Sequence, residues 1–596
     1  MQHRSRRDLL RAGALATLPA LPRAAAARGA ADNTLRLAFL AAETGVDPAQ
    51  VQDAYSRRVI MHIMDAPLEY DLHARPWTLR PNTLAALPEV SADYRTITCR
   101  VQPGILFADD PAFGGKPREL VAADYVYSLK RIYDPRWKSP MLFQLENNRP
   151  LGLSELRAQA LAGGRFDYDR EVEGLRTLDR YTFQFRLAEP NPRFAYNLVD
   201  TTFCAVAREV VEAYGEAIMA HPVGTGPYRL ESWTRSARIV LAHNPNYRER
   251  RFDYAAAADA PELAPELAQL RGRRLPLAER VEIAVIEESQ PRWLAFLQGD
   301  LDIIDPVPVD LVRIAAPRMQ PAPHLTRRGV KARFTPMVDV VLDYFNMEHP
   351  LVGGYTPEKV ALRRAVALAV DNGELARAVF SDQALPAQSA FVPGTFGHDP
   401  AWATLSTRHD PARASALLDT FGYLDRDGDG WRETPDGQPL ALELASGATQ
   451  RERLQNEIWR KSMAAVGLKI DFRIAQWPEL LRMSLAGQLM MWGYSWQMGS
   501  PDSELVFGMA YGPNRETLND ARFDLPAFNR LFEEQKRLPD GPQRQAVLRD
   551  AARLMAAQMP YLLKLHRVYL DLAQPWVLGY RRNPLTERYW HPVGFA

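Results

Sequence analysis

Two short stretches of the sequence carry side chains at spacings that suggest binding chemistry. The first, Asp425-Arg426-Asp427-Gly428-Asp429-Gly430, places carboxylates at alternate positions, as the start of a calcium-binding EF-hand loop does. Continuing that count puts Glu433 at the ninth position but Asp436, rather than a bidentate glutamate, at the twelfth. Pro435 and Pro439 exclude the second helix of such a loop. An Asp/Gly turn between a helix and a strand explains the same residues, so we favour the turn and keep calcium as the alternative.

The second stretch lies between Leu489 and Asp502 and suggests ligand contact through aromatic rings. Large apolar residues alternate there with small or polar ones: Trp492, Gly493, Tyr494, Ser495, Trp496, Gln497 and Met498. A strand with this pattern carries rings on one face and leaves the other face open to a second backbone. Packing of the rings within a sheet explains the pattern as well. If the rings contact a ligand, they would suit sugar rings as well as apolar side chains.

The common signatures of enzymes are missing. There is no His-Glu-x-x-His, no Gly-x-Ser-x-Gly, and the 11 histidines form no zinc-like cluster with the 2 cysteines. Gly224-Thr225-Gly226 lacks the Lys-Ser/Thr of a phosphate loop, and Pro227 removes an amide that such a loop would use. We therefore expect no enzyme, no metal and no cofactor, with a secreted hydrolase built from dispersed residues as the less favoured alternative.

Composition narrows the class of protein further. The chain has 596 residues, 46% of them hydrophobic, which is enough for two or three structural domains with large cores. Lys plus Arg number 73 and Asp plus Glu number 72, so no overall field favours nucleic acid or an anionic membrane. We expect a globular protein that does not bind nucleic acid.

The amino terminus indicates export. Ser5-Arg6-Arg7-Asp8-Leu9-Leu10-Arg11 is a twin-arginine pattern, followed by a short apolar run and by small residues at Ala24–Ala27. We interpret residues 1–27 as a Tat-type signal peptide. The first cysteine is Cys99, so no cysteine is placed for lipid attachment at the end of the signal. The expected location is the periplasm, without a lipid anchor.

The two cysteines lie in strand-like runs. Cys99 falls within Thr96–Val101 and Cys204 within Thr202–Ala207. An oxidising compartment would permit one disulfide between them. We favour two separately buried thiols, because unpaired cysteine is among the most buried residue types.

Periodicity then places the elements around these stretches. Gly224, Gly226 and their flanking prolines form a rigid turn, and the alternation that follows from Tyr228 predicts a strand at the edge of a sheet. Val121–Ile132 has the apolar spacing of an amphipathic helix. Strands are also predicted at 33–40, 281–287 and 560–572, and a helix at 292–299.

Several of these segments resemble, in order, the motifs of bacterial extracellular solute-binding proteins of family 5, which serve ABC importers of peptides and nickel. They are Pro222-Val-Gly-Thr-Gly-Pro-Tyr228, the helix at Val121–Ile132, Gly299-Asp300-Leu301-Asp302-Ile303, Tyr344-Phe345-Asn346 and Pro575-Trp576-Val577-Leu578-Gly579-Tyr580. Together these motifs cover nearly the whole chain after the signal peptide. None of them is specific to a substrate.

The resemblance implies a bilobal α/β fold of the periplasmic-binding-protein type, in its large peptide-binding form, with two hinge crossings and an extra inserted subdomain. On this basis lobe I comprises residues 32–80, 208–283 and 567–596, with 81–207 as its inserted subdomain. Lobe II comprises residues 284–566. The hinge crossings are expected near 284–290 and 562–570.

The resemblance also implies a function. The protein would be a periplasmic receptor that captures an oligopeptide or peptide-like solute between its lobes and delivers it to the permease and ATPase of an ABC transporter. We expect a monomer. Oligosaccharide, haem and a metal chelate such as a nickel complex remain alternative ligands.

The residues expected at the ligand come from the same resemblance. Gly493-Tyr494 is similar to the Gly-Trp pair beside the peptide cleft, and Ser500-Pro501-Asp502 to the turn after it. Gln497 departs from the pattern, because peptide-binding members carry there an aspartate that pairs with the α-ammonium of the ligand. Glu43 or Asp502 would then hold the amine, or the ligand lacks one. The full expected set is Trp492, Gly493, Tyr494, Trp496, Gln497, Asp502, Glu43, Asn346 and His566.

Overall fold

The computed structural model describes residues 33–404, 408–515 and 517–596. The predicted signal peptide, residues 1–27, lies outside these ranges. None of the helices in the described ranges combines the length and the apolar composition that a bilayer span requires.

The first half of the described chain mixes short strands and helices. The strands are β1 (Thr34–Phe39), β2 (Leu68–Tyr70), β3 (Leu79–Pro81), β4 (Glu89–Val90), β5 (Thr96–Arg100), β6 (Leu175–Asp179), β7 (Thr182–Arg186), β8 (Tyr228–Thr234), β9 (Arg238–His243) and β10 (Arg280–Val285). The helices are α1 (Ala54–Ile63), α2 (Ala122–Tyr133), α3 (Leu142–Glu146), α4 (Leu153–Leu161), α5 (Arg208–Tyr214), α6 (Ala264–Leu270) and α7 (Ser289–Gln298).

The second half is richer in long helices. Its strands are β11 (Ile303–Ile304), β12 (Lys331–Pro336), β13 (Asp339–Phe345), β14 (Ala384–Pro386), β15 (Ala441–Ser446), β16 (Lys469–Ile474), β17 (Met491–Gln497), β18 (Tyr561–Ala573), β19 (Val577–Leu578) and β20 (Gly594–Phe595). Its helices are α8 (Val312–Ala315), α9 (Pro323–Thr326), α10 (Pro357–Ala369), α11 (Asn372–Val379), α12 (Pro411–Thr420), α13 (Gln450–Ala464), α14 (Trp477–Leu485), α15 (Glu504–Gly508), α16 (Pro526–Arg537) and α17 (Pro542–Gln558).

The first lobe is built on a four-stranded sheet in the order β1-β10-β9-β8. β8 lies at its edge, as the sequence predicts. The turn before β8 packs on the end of α1, where Gly226 N donates to Ile63 O at 2.9 Å. A Cβ at Gly224 would lie 2.1 Å from that same carbonyl oxygen, so only glycine allows the approach.

A separate four-stranded sheet, β4-β5-β7-β6, lies within the segment expected to form the inserted subdomain. Cys99 is on β5, as predicted, but Cys204 follows a short 3₁₀ turn at Thr201–Phe203, so the strand predicted at Thr202–Ala207 is wrong. Both cysteines are free and buried, which confirms the two separate thiols. Burial raises the pKa of both thiols.

The second lobe is built on an eight-stranded sheet whose main order is β11-β18-β13-β17-β15-β16. β12 and β14 also pair with β18, so this long strand joins β11 and β12 to β13 and β14. Residues 567–573, which we expected in lobe I, belong to β18 in this sheet, where Arg567 pairs with β14 and residues 568–573 pair with β12. The two sheets with their helices confirm the bilobal α/β fold.

Candidate ligand-binding site

β17 has one open edge. It pairs with β13 along its whole length, from Met491 opposite Phe345 to Gln497 opposite Asp339, but with β15 only at Met491 and Trp492. Beyond Trp492 no strand of the described chain pairs with that second side.

The hydrogen-bond register shows which backbone groups face the open edge. Met498 N donates to Val338 O at 2.8 Å, so the pairs bonded to β13 involve the even-numbered residues of this strand. The amides and carbonyls of Gly493, Ser495 and Gln497 therefore point away from β13. Ser495, which the sequence analysis did not place among the contacts, is one of the exposed residues here.

The aromatic residues of β17 form a row on one face of the strand. The ring centroids of Trp492 and Tyr494 lie 5.3 Å apart, and those of Tyr494 and Trp496 lie 6.2 Å apart. Trp492 is buried, whereas Trp496 is 37% exposed. The row therefore begins in the core of the second lobe and ends at its surface.

Tyr494 is held by a buried polar chain. Its hydroxyl donates to Asp520 at 2.5 Å, and Ser484 donates to the other oxygen of that carboxylate at 2.9 Å. Tyr344 completes the chain through its hydroxyl, 2.7 Å from that of Ser484. Burial raises the pKa of Asp520 and of Tyr494. The Tyr494 hydroxyl is thus committed to the fold, and its ring supports Trp496.

A buried ion pair beside Gly493 leaves no space for a side chain at this position. A Cβ at position 493 would lie 1.8 Å from Oδ1 of Asp343. The other oxygen of Asp343 lies 2.6 Å from Lys564 Nζ, and both side chains are buried. Burial raises the pKa of Asp343, and Lys564 opposes that shift. A side chain at Gly493 would have to displace this pair.

Gln497 bridges two parts of the molecule. Its Nε2 donates to the carbonyl oxygen of Pro584 at 2.7 Å. Pro584 lies in the carboxy-terminal segment, which returns to the first lobe, since Trp590 N donates to His62 Nε2 on α1 at 2.9 Å. The side chain of Gln497 therefore lies where the lobes meet.

The two acidic residues of the predicted set, Glu43 and Asp502, differ in how far their carboxylates are already engaged. Glu43 is 6% exposed and accepts from Trp233 Nε1, while its Oε2 has no hydrogen-bond partner within the described ranges. Asp502 accepts from Arg544 through both oxygens, at 2.5 and 3.0 Å, and caps the amide of Glu504 at 2.7 Å. Glu43 keeps a spare acceptor, whereas Asp502 is engaged in an internal ion pair.

The last two predicted residues have structural partners. Asn346 donates to the carbonyls of Gly487 and Leu489 at 2.9 and 3.0 Å, so its amide closes the loop before β17. His566 is 2% exposed, with Nδ1 2.6 Å from the Asp339 carbonyl, and burial lowers its pKa. The structure does not bring either of them to the open edge.

A cavity of about 710 Å³ agrees with the ligand space expected between the lobes, but the residues that line it were not predicted from the sequence. The residues of its wall come from 75–77, 259–263 and Arg581, in segments expected in lobe I, and from 332–338 and 393–398, in segments expected in lobe II. No local motif marks these stretches, because the cavity exists only once distant segments meet.

The acidic loop after α12 forms a tight cluster. Ligand atoms of Asp425, Asp427, Asp429 and Glu433 all lie within 4.8 Å of one another. The carboxylates also accept backbone amides of their own loop, for example Gly428 N to Asp425 at 2.7 Å and Trp431 N to Asp429 at 2.8 Å. These contacts are the ones that an Asp/Gly turn uses.

Comparison with known proteins agrees with this architecture. Residues 78–517 match the family model described as "Bacterial extracellular solute-binding proteins, family 5 Middle". Di/tripeptide-binding protein 2 of Pseudomonas aeruginosa is 25% identical over 583 residues, 95% of each chain. The periplasmic oligopeptide-binding protein OppA of Salmonella typhimurium is 23% identical over 556 residues, 91% of this chain and 89% of that one.

Solved structures share the fold. The unliganded open form of the periplasmic murein tripeptide-binding protein MppA superposes with a TM-score of 0.71 at 18% identity, covering 95% of this chain and 98% of that one. OppA of Haemophilus influenzae in complex with the peptide RPPGFSPFR has a TM-score of 0.65 at 16% identity, covering 95% and 99%. The match of the family model over most of the sequence establishes that this chain belongs to family 5 of the bacterial extracellular solute-binding proteins.

Proposed function

We propose that the protein is the periplasmic substrate-binding receptor of an ABC importer and that it captures a peptide or peptide-like solute between its lobes. The open edge of β17 carries this proposal. An extended peptide can add to an exposed strand edge through main-chain hydrogen bonds, which hold ligands of varied sequence. Two relatives of this chain, a di/tripeptide-binding protein and an oligopeptide-binding protein, support the same ligand class.

In this proposal the carbonyl of Gly493 and the backbone groups of Ser495 and Gln497 pair with the main chain of the ligand, since the Gly493 amide faces Ala445 of β15. Trp496 provides an exposed ring beside it, and Trp492 and Tyr494 hold that ring in place. We expect no carboxylate to hold a ligand amine in the native protein; Glu43, whose Oε2 has no partner within the described ranges, is the alternative acceptor. We propose no ligand contact for Asp502 or Asn346, whose polar atoms are engaged by other protein groups, or for His566, which is buried with Nδ1 against the Asp339 carbonyl.

The division into lobes is part of the proposal. We retain lobe I as 32–80 and 208–283 with the inserted subdomain 81–207, and we move the carboxy-terminal limit of lobe II from 566 to 573, the end of β18. Closure would occur by hinge motion at the two crossings. The closed receptor would deliver its ligand, unchanged, to the permease and ATPase complex, and we expect it to act as a monomer.

A calorimetric titration tests the assignment of the edge. We expect trialanine to bind, and trialanine with N-methylated peptide bonds to bind at least about tenfold more weakly, since methylation removes the donors. Trp496→Ala should weaken binding, while Trp431→Ala, which removes a ring of the same 37% exposure from the acidic loop, should not. Equal binding of methylated and unmethylated peptide would contradict the edge model, and a response to oligosaccharides alone would remove peptide as the ligand. Mass spectrometry of the recovered ligand should show an intact peptide, whereas cleavage would indicate an enzyme.

A further inference from the structure

The cavity between the lobes adjoins one end of the open edge. Val338 lines the cavity, and its carbonyl accepts from the amide of Met498, the residue after Gln497. This bond lies on the side of β17 that pairs with β13, so a ligand on the open edge would enter the cavity by extending past Gln497 and turning around the end of the strand. The remaining walls include Trp77, Phe334 and Pro393, so the space is partly apolar.

The charged groups of the wall leave an excess of positive charge at one place. Arg581 donates to Oδ2 of Asp259 at 2.8 Å, and Nε of Arg75 lies 3.9 Å from the same oxygen. Two guanidinium groups thus share one carboxylate. The only hydrogen bond of Arg75 to another residue in the described ranges runs to the carbonyl of Ala74, at 2.7 Å.

The other ionisable groups at the cavity do not remove this excess. Arg333 pairs with Glu266 at 2.9 Å, and Lys331 lies 3.2 Å from the same carboxylate, so these groups add no negative charge to the wall. Burial lowers the pKa of His398, so its imidazole is neutral at pH 7. Glu262 adds one solvent-exposed carboxylate to the wall, but it forms no ion pair with Arg75 or Arg581, whose carboxylate partner is Asp259. Burial and the neighbouring Arg581 lower the pKa of Arg75 to about 9, as expected for a cation with too little compensating charge.

Trp77 fixes the position of Arg75. The Arg75 guanidinium carbon lies 3.1 Å from the centre of the Trp77 ring, and the ring itself is 8% exposed. The indole Nε1 is buried and has no acceptor within the described ranges. A stacked guanidinium is pre-organised, so it loses little freedom when it binds a planar anion.

We infer that the cavity binds an anionic group of the ligand, a carboxylate, through Arg75 and Arg581. The inference rests on the proposed function, since it assumes a ligand along β17. It narrows the ligand class to peptides or peptide-like solutes that carry an acidic group at the end nearest Gln497. Paired guanidinium donors bind carboxylates at short distance with a charge-assisted geometry.

The test uses two pairs of nearly isosteric probes that differ by one negative charge. Succinyl-trialanine is compared with succinamoyl-trialanine, and Ala-Ala-Glu with Ala-Ala-Gln, by calorimetry on the full-length mature protein. We expect the acidic member of at least one pair to bind about tenfold more tightly. Arg75→Gln should abolish that preference. Arg149→Gln, the same change at a surface pair with Glu189, should leave it intact.

Asp259→Asn is expected to increase affinity, a result that misfolding of the variant would not produce. It removes the carboxylate that competes for both arginines, so the acidic probe should bind several-fold more tightly. Equal binding of both members of each pair by the native protein would overturn the inference and leave peptide capture standing. A preference that survives Arg75→Gln, or weaker binding of the acidic probe by Asp259→Asn, would also overturn it. Binding of none of the probes would overturn both this inference and the proposed function.

Discussion

Gln497 donates from Nε2 to the carbonyl oxygen of Pro584 at 2.7 Å. The bond joins the last residue of β17 to the segment that returns to the first lobe. One side chain therefore takes part in the contact between the lobes and lies beside the edge assigned to the ligand. An amide can donate to a carbonyl, whereas a carboxylate cannot.

Replacing Gln497 with aspartate should have two effects. The bond to Pro584 is lost and two acceptors face each other, so the free energy of unfolding should fall by about 1 kcal/mol. The new carboxylate should also attract an ammonium group. We expect the variant to bind free tripeptides more tightly than their N-acetylated forms, and the native protein to bind both forms alike.

Gln497→Ala is the control, because it removes the bond without adding a charge. It should show the loss of stability without the preference for a free amine. Calorimetry with both peptide forms measures the preference, and urea unfolding measures the stability. A strong free-amine preference in the native protein would mean that another acid, with Glu43 the first candidate, already holds the amine.

Gly493→Ala should destabilise the second lobe. The added Cβ would lie 1.8 Å from Asp343 Oδ1, so the buried pair with Lys564 must move. We expect a loss of about 2–3 kcal/mol in urea unfolding. Gly499→Ala is the matched control, since a Cβ there meets no atom within 4 Å, and its effect should stay within about 0.5 kcal/mol. Equal effects of the two substitutions would contradict this role for Gly493.

His62 should make stability depend on pH. It is fully buried, with Nδ1 2.7 Å from the Arg58 carbonyl and Nε2 accepting from Trp590 N at 2.9 Å. Burial lowers its pKa from 6.5 to about 3. Between these values the unfolded chain binds the proton and the folded protein does not. This contribution is therefore complete above about pH 6.5 and is lost as pH falls towards 3, by about 1.4 kcal/mol per pH unit.

Two histidine variants separate the contribution of His62 to the pH dependence of stability from that of the other titrating groups. The slope of unfolding free energy against pH, measured by urea unfolding between pH 6 and 4, should decrease by about 1.4 kcal/mol per unit in His62→Gln. The exposed His324→Gln should retain the native slope. An unchanged slope in His62→Gln would mean that His62 is charged in the folded protein.

Export should depend on the twin arginines. Replacing Arg6 and Arg7 with lysine keeps the charge but removes the pair that the Tat pathway recognises. We expect a folded precursor to accumulate in the cytoplasm, detected by fractionation and immunoblotting. The same exchange at Arg11 should leave export intact. Normal periplasmic yield of the double variant would indicate the general secretory route.

The local residue pattern correctly predicted the strands in which apolar and polar residues alternate regularly. The strand predicted at 560–572 is β18, Tyr561–Ala573, and the alternating aromatic residues do form β17. The turn at Gly224 and the edge strand after it also follow from local residue types. Cys204 shows the limit, because its β-like run is held by a 3₁₀ turn and by packing rather than by a ladder.

Contacts across long sequence separations could not be predicted in this way. Arg544 engages Asp502 from 42 residues away, and nothing near Asp502 indicates that its carboxylate is taken. The cavity wall brings together Arg75, Asp259 and Arg581, which are far apart in the sequence. The side-chain acceptors of these residues are set by tertiary packing, which a single sequence does not encode locally.

The open edge of β17 also sets a length. From Gly493 to Gln497 an extended strand rises through four residue steps of about 3.3 Å, or about 13 Å in all. A ligand of about five residues would cover every outward-facing amide and carbonyl, and longer chains would gain no further pairing from this strand. The length of the strand thus limits how many ligand residues can form main-chain hydrogen bonds with it. Residues beyond that number contribute to affinity only through contacts with other parts of the protein.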